Sequence, residues 1–239
     1  MSESDSEPAA TILMWGDSAT GKSSLIAAAL FDDPHQLEGI DLARTGEEAA
    51  AARLNEHWRD LREGRLRAGT VQERVDIRLH RTHGAPILLR DVRGDLIDQS
   101  ADVNIVRGIL QPANVVLFVM DFQAADPTRQ LRAIDVWTIC DKAAKGLIFT
   151  KCELNLDYDH RAWKGGSNWW REFPELRMRS RFIERFGDAV FPTSVFGYHH
   201  GSKFPALTLG EFGEVRPFGI SPRGVIAPFA WAIERATAR

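Results

Sequence analysis

Apolar runs of strand length recur along the chain, separated by helical or turn-rich stretches. Residues 10–15 are almost continuously apolar, as in a strand covered on both faces. A loop, 16–21, leads into 22–30, which is small and apolar after its start and predicts a helix. Beyond a Pro-containing loop, 45–63 carries Leu54, Trp58 and Leu61 on one helical stripe. After a turn at 64–70, Val75, Ile77 and Leu79 alternate with polar neighbours across 74–80, a half-exposed strand. His83-Gly84 turns the chain into a second strand at 86–91, so the two predict a hairpin. Residues 114–121 have the apolar continuity of a central parallel strand. A helix over 127–144, a strand at 146–150, a helix over 175–186, a short strand at 189–193 and an amphipathic helix at 225–238 complete the pattern.

Such alternation predicts an α/β, three-layer sandwich. Its six-stranded sheet is mostly parallel with one antiparallel edge strand, and its ligands lie at the carboxyl ends of the strands. Residues 1–9 are expected to be a disordered tail. Residues 10–239 are expected to be a single domain with insertions at about 42–64, 154–175 and 197–222, the last a Gly/Pro-rich loop. The 30 basic and 33 acidic residues give a net charge of −3, which offers no basic excess for a nucleic-acid partner. The longest apolar stretch, 115–120, is too short to span a membrane. The acidic, serine-rich start is unlike a signal peptide. Cys140 and Cys152 stand in no metal-ligand spacing and read as reduced thiols, so a cytoplasmic location is expected.

Chemistry concentrates in a few places. Gly16-Asp17-Ser18-Ala19-Thr20-Gly21-Lys22-Ser23 fits G-x-x-x-x-G-K-S, between a predicted strand and helix. Its glycines let backbone N–H groups wrap a phosphate chain, and the helix beginning near Lys22, with Ser24 in its first turn, adds a positive end. Lys22 supplies a mobile charge and Ser23 a hydroxyl for Mg²⁺. Asp91-Val92-Arg93-Gly94 closes an apolar strand, where Asp91 can hold Mg²⁺ through water and the Gly94 amide can sense a γ-phosphate. Read alone, it is a strand-ending turn. Thr150-Lys151-Cys152-Glu153 ends another buried strand. The Glu153 carboxylate can accept from the guanine ring N–H and amino group, which adenine lacks, and the Lys151 stem can cover the base. Alone it reads as a charged loop. Thr193-Ser194-Val195 follows the last short strand and can bring a backbone amide to the base.

In this order the motifs resemble the Ras-like GTPases of the TRAFAC clade, over nearly the whole chain from Thr11 to Ala238. The resemblance implies a Ras-like G domain that binds GTP or GDP with Mg²⁺. It makes Gly16 to Ser23 the phosphate loop, Asp91 to Gly94 the second switch, Thr150 to Glu153 the guanine motif and Ser194 and Val195 the final base contact. Thr70, after Gly69, becomes the first-switch threonine, reaching Mg²⁺ and γ-phosphate. The approach through Gly69-Thr70 and the closing Pro222, Pro228 and Trp231 are similar to bacterial double-GTPase families. Two departures stand out. Glu153 replaces the usual Asp, which puts guanine selectivity in question. Asp95 replaces the water-orienting Gln of Ras proteins, so slow hydrolysis is expected, assisted by a partner's arginine or by Arg93.

The implied function is a GTP-dependent switch with a protein effector or activating partner. The alternatives are a nucleotide-holding pseudo-GTPase scaffold, which Glu153 and Asp95 favour and Lys22-Ser23 opposes, and a P-loop small-molecule kinase. The kinase would need an arginine-rich lid, whereas Arg177, Arg179, Arg181 and Arg185 read as a solvated helix face. Trp163, Trp169 and Trp170 read either as a partner-binding insertion or, preferably, as rings packed back on the sheet edge. His199-His200, and Asp157, Asp159 and His160, read as solvated loops.

Overall fold

The computed structural model describes residues 7–17, 19–33, 37–65, 74–92, 107, 108, 110, 112–123, 137, 139–164, 168–177, 179–200, 202–209 and 215–238. Six strands form the main sheet: β1 (Ala10–Trp15), β2 (Arg74–Leu79), β3 (Ile87–Val92), β4 (Val115–Asp121), β5 (Ala144–Thr150) and β6 (Val190–Pro192). Their order is β2-β3-β1-β4-β5-β6. All pairings are parallel except β2 with β3, whose hairpin register sets Ile77 opposite Leu89. The expected mostly parallel sheet with one antiparallel edge strand is therefore present. Across the hairpin, Arg90 Nε donates to Asp76 Oδ1 at 2.9 Å.

The central strands read as unbroken apolar runs because each is covered on both faces. Ile12 and Met14 of β1, with Val115, Leu117 and Val119 of β4, join a core under α1 (Lys22–Phe31), α3 (Ala49–Arg62) and α6 (Ala227–Thr237). Their alternate neighbours Leu13, Trp15, Val116, Phe118 and Met120 join the opposite core, with Trp169, Trp170, Leu176, Phe182 and Phe186. Full burial of each Val, Leu, Ile or Phe contributes about 1.5–3 kcal/mol, so the two covered faces of β1 and β4 dominate stability. Helix α1 packs against α3 and buries Leu25 through Leu30 without interruption, which explains its lack of a polar stripe.

Several elements differ from the sequence expectation. The helix expected over 45–63 is two helices, α2 (Leu42–Gly46) and α3. Asp41 caps α2, its side chain accepting from the Arg44 N–H at 3.1 Å. Gly46 ends it, and Glu48 is extended (ψ 135°) before α3 begins. The bend brings the buried Thr45 hydroxyl to the residue just after β2, where it accepts from the His80 N–H at 3.0 Å. The helix expected over 175–186 is broken into α4 (Pro174–Arg177), α5 (Ser180–Ile183) and a 3-10 turn, Glu184–Phe186. The break falls at Arg179, which is buried rather than on a solvated face as expected of its cluster; Arg177, Arg181 and Arg185 are exposed. The expected loop over 197–222 contains a small antiparallel hairpin, β7 (Leu207–Leu209) with β8 (Val215–Pro217). Of the expected helix over 127–144, residues 127–136 and 138 lie outside the described residues, and its last position, Ala144, already belongs to β5.

The tryptophans at 169 and 170 are core residues. The Trp169 indole N–H donates to Val190 O at 3.1 Å on the outer edge of β6, so this ring does pack back on the sheet edge. Trp163 meets Tyr198 edge-on. No helix among the described residues is long and apolar enough to cross a membrane.

Gly146 lets α6 approach β5, since a Cβ there would lie 2.9 Å from the Trp231 ring and 3.0 Å from Leu117 Cδ2. Gly146→Ala is expected to cost about 1–3 kcal/mol by overpacking. Denaturant unfolding checks this, and combining it with Trp231→Leu should recover part of the loss.

Candidate functional site

The parallel order sets the carboxyl ends of β1, β3, β4, β5 and β6 along one edge of the sheet, where the chemistry-bearing residues converge. The loop after β1 lies flat on β4 because Gly16 has no side chain: a Cβ would sit 2.3 Å from Val119 O. Ala19 (φ 62°) and Gly21 (φ 85°) take left-handed backbone conformations that turn the loop into α1. Lys22 Nζ donates to Gly16 O at 2.7 Å and to Asp17 O at 3.0 Å, so the ammonium is drawn across the loop. Thr20 Oγ1 donates to Asp17 O at 2.9 Å.

Ser23 Oγ donates to Asp91 Oδ2 at 2.8 Å, joining the start of α1 to the end of β3. Asp91 is buried, and its Oδ1 has no hydrogen-bond partner. A buried carboxylate oxygen without a partner, beside a serine hydroxyl, fits a hard divalent cation that takes oxygen ligands. Burial raises the Asp91 pKa above its ordinary value, while the Lys22 ammonium and the Ser23 hydrogen bond pull it back. Ser24, expected at the nucleotide, has its hydroxyl 2.9 Å from His57 Nε2 on α3.

The ends of β4 and β5 supply a second group. Thr150 Oγ1 donates to Thr20 O at 2.7 Å, a buried bond tying the loop after β1 to the end of β5. Lys151 is left-handed (φ 59°), and its Nζ pairs with Asp121 Oδ2 at 2.5 Å. Asp121 Oδ1 also accepts from the Gln123 N–H at 2.9 Å. Sequence reading passed over Asp121, although it is the single charge closing the apolar run of β4. Glu153 is buried, and its Oε2 accepts from Ser194 Oγ at 2.6 Å. Ser194 Oγ in turn accepts from the Gly197 N–H at 2.7 Å. Burial raises the Glu153 pKa, and the bond from Ser194 opposes that. Val195 is buried beside these residues in sequence. Between them, Cys152 is fully buried and its thiol pKa is pushed well up by that burial.

The structure therefore gathers Gly16, Asp17, Ala19, Thr20, Gly21, Lys22, Ser23 and Asp91 around one loop, and Thr150, Lys151, Glu153 and Ser194 around a neighbouring one. Ser18, Thr70, Arg93, Gly94 and Asp95 lie outside the described residues. No group of three or more His, Cys, Asp or Glu placed to hold a metal occurs among the described residues. Among the described residues, a cation at Asp91 would rest on one carboxylate and one hydroxyl.

No protein-family model and no curated protein matches this sequence. Among solved structures, a variant of Era from Aquifex aeolicus bound to GDP·AlF4⁻ is similar, with a TM-score of 0.45 and 16% sequence identity. The match covers 77% of this chain and 50% of that one, so this chain spans about half the length of that neighbour.

The Asp91 environment has a signed consequence. Because its folded pKa is raised, the folded state holds the proton more tightly than the unfolded one. Its contribution to stability is then complete below the unfolded pKa and is lost as pH rises through the folded pKa. Asp91→Asn is therefore expected to raise the Tm of nucleotide-free protein by a few degrees at neutral pH. The gain should shrink toward acid pH, and melting curves along a pH series check both features.

Proposed function

We propose that this protein is a guanine-nucleotide-binding switch that binds GTP with Mg²⁺ and hydrolyses it slowly to GDP. One observation carries the reading: the Thr150 Oγ1 to Thr20 O bond joins a phosphate-binding loop to a strand end bearing a buried carboxylate. Phosphate chain and base can thus be held by adjacent segments of one rigid sheet edge. The first segment would wrap the phosphates with the backbone N–H groups of residues 16–24, with Lys22 leaving its carbonyl partners for the β- and γ-phosphates. Ser23 and Asp91 would hold Mg²⁺, with Thr70 completing its shell. When bound, the ion would screen the phosphate charge and stabilise what develops on the leaving oxygen.

At the base, Glu153 would accept from the guanine N–H groups while Ser194 fixes its second oxygen, Val195 would approach the ring from the last loop, and Lys151, steadied by Asp121, would cover the ring face. Catalysis would be positioning and electrostatic stabilisation. Gly94 and Thr70 would report the γ-phosphate, and Asp95, with no amide to orient water, would keep turnover low until a partner arrives. Residues 10–239 then act as one G domain, with the insertions at about 42–64, 154–175 and 197–222 available to an effector or activating protein.

Calorimetry on the purified chain in Mg²⁺ tests this. GTP and GDP are expected to bind and ATP not to. Lys22→Ala should weaken GTP roughly 10- to 100-fold, the effect of losing charge-assisted contacts. Glu153→Ala should abolish the preference for guanine over adenine. Equal affinity for ATP in the unaltered protein would refute the base assignment. Phosphate release at the rate of an ordinary metabolic enzyme would refute the slow switch. GTP binding with no phosphate release under any condition would favour the scaffold.

A further inference from the structure

Residues 221–224 cross the end of β6 as a strap. The Ser194 N–H donates to Arg223 O and the Arg223 N–H to Ser194 O, each at 2.9 Å. Two glycines permit so close an approach of main chain to main chain. A Cβ on Gly197 would lie 1.7 Å from Ser221 O, and one on Gly224 would lie 2.3 Å from Pro192 O. Ser194 is thus gripped on both sides: its backbone by the strap, its hydroxyl by Glu153 and the Gly197 N–H.

The strap has its own anchor. The Arg223 guanidinium lies over the Tyr158 ring, 3.9 Å from its centroid, with its Nε buried and without a hydrogen-bond partner. A cation held this way depends on the ring face for compensation. Tyr158 belongs to a different excursion of the chain and meets Tyr198 edge-on, and the Tyr198 hydroxyl donates to Leu156 O. The anchor therefore joins the segment after β5 to the segment after β6, outside both sets of residues assigned to nucleotide.

We propose that Arg223 is a positioning residue for base recognition: through the strap it holds Ser194, and through Ser194 the Glu153 carboxylate, and its contact with Tyr158 sets how fast a guanine nucleotide leaves. This rests on the guanine-nucleotide reading above. The base can leave only when residues 193–195 move off it, and that motion must part the two backbone bonds to the strap. Loosening the strap raises the population of the open loop and hence the release rate. The phosphate side, carried by Lys22, Ser23 and Asp91 on other elements, is not affected.

Release of a fluorescent GDP analogue from the full chain, chased with excess GDP, tests the proposal. Arg223→Met and Tyr158→Leu are each expected to speed release roughly fivefold. The double variant should release no faster than either single one, because both remove the same contact. Tyr158→Phe, which keeps the ring, should release at the unaltered rate. Affinity for inorganic tripolyphosphate, which has no base, should be the same in all of them. Unchanged release in both Arg223→Met and Tyr158→Leu would overturn the proposal, and so would an equal loss of tripolyphosphate affinity, the sign of general loosening. If Arg223→Met does not fold, the contrast between Tyr158→Leu and Tyr158→Phe decides. If the unaltered protein binds tripolyphosphate but not the GDP analogue, the guanine reading falls and takes the strap with it. If it binds the analogue and the variants behave like it, the strap alone falls.

Discussion

The whole candidate site hangs on one contact that admits no side chain. Gly16 lies so close to Val119 O that any Cβ would overlap it. Close packing of the main chain onto β4 leaves the next residues no course but a tight turn, which Ala19 and Gly21 complete with positive φ. Helix α1 can then start at Lys22, and Ser23 comes to lie opposite the end of β3. Thr150 reads the outcome from the other side, because its hydroxyl reaches Thr20 O only if the loop lies flat. A larger residue at position 16 would therefore disturb three strand ends together.

Around that fixed centre the polar groups are arranged at a cost. Asp91 and Glu153 are buried carboxylates, each with its proton held more tightly than usual by desolvation. Each has a serine as its principal partner, Ser23 for one and Ser194 for the other. A neutral donor compensates a buried charge only in part. Such half-compensated groups stand ready for a stronger partner.

Much of this architecture is written in the chain as periodicity. The uninterrupted apolar runs of β1 and β4 state that both faces are covered, and the alternation of Val75, Ile77 and Leu79 states that β2 is an edge. The loop over 16–23 is legible because G-x-x-x-x-G-K-S sets particular residues at fixed spacing. What escaped is tertiary. Arg179 goes inside although its neighbours in the same cluster are solvated, and nothing local distinguishes it. Asp121 looks like a strand terminus until Lys151 arrives from a strand thirty residues on. The division of α2 from α3 follows from where Thr45 must meet His80, a contact between distant segments. The hairpin β7–β8 is too short to leave a signal against a Gly/Pro-rich background.

The outer side of β6 also bears on how the chain behaves at high concentration. A bare sheet edge is a template on which another chain can add a strand and begin to aggregate. Here Val190 O is already taken by the Trp169 indole, Pro192 has no N–H to offer, and the Ser194 N–H is bound to Arg223 O. The residues that hold Ser194 beside Glu153 thus also deny foreign strands a foothold, and a closed sheet edge and the placing of that serine against its carboxylate become joint properties of one strip of backbone.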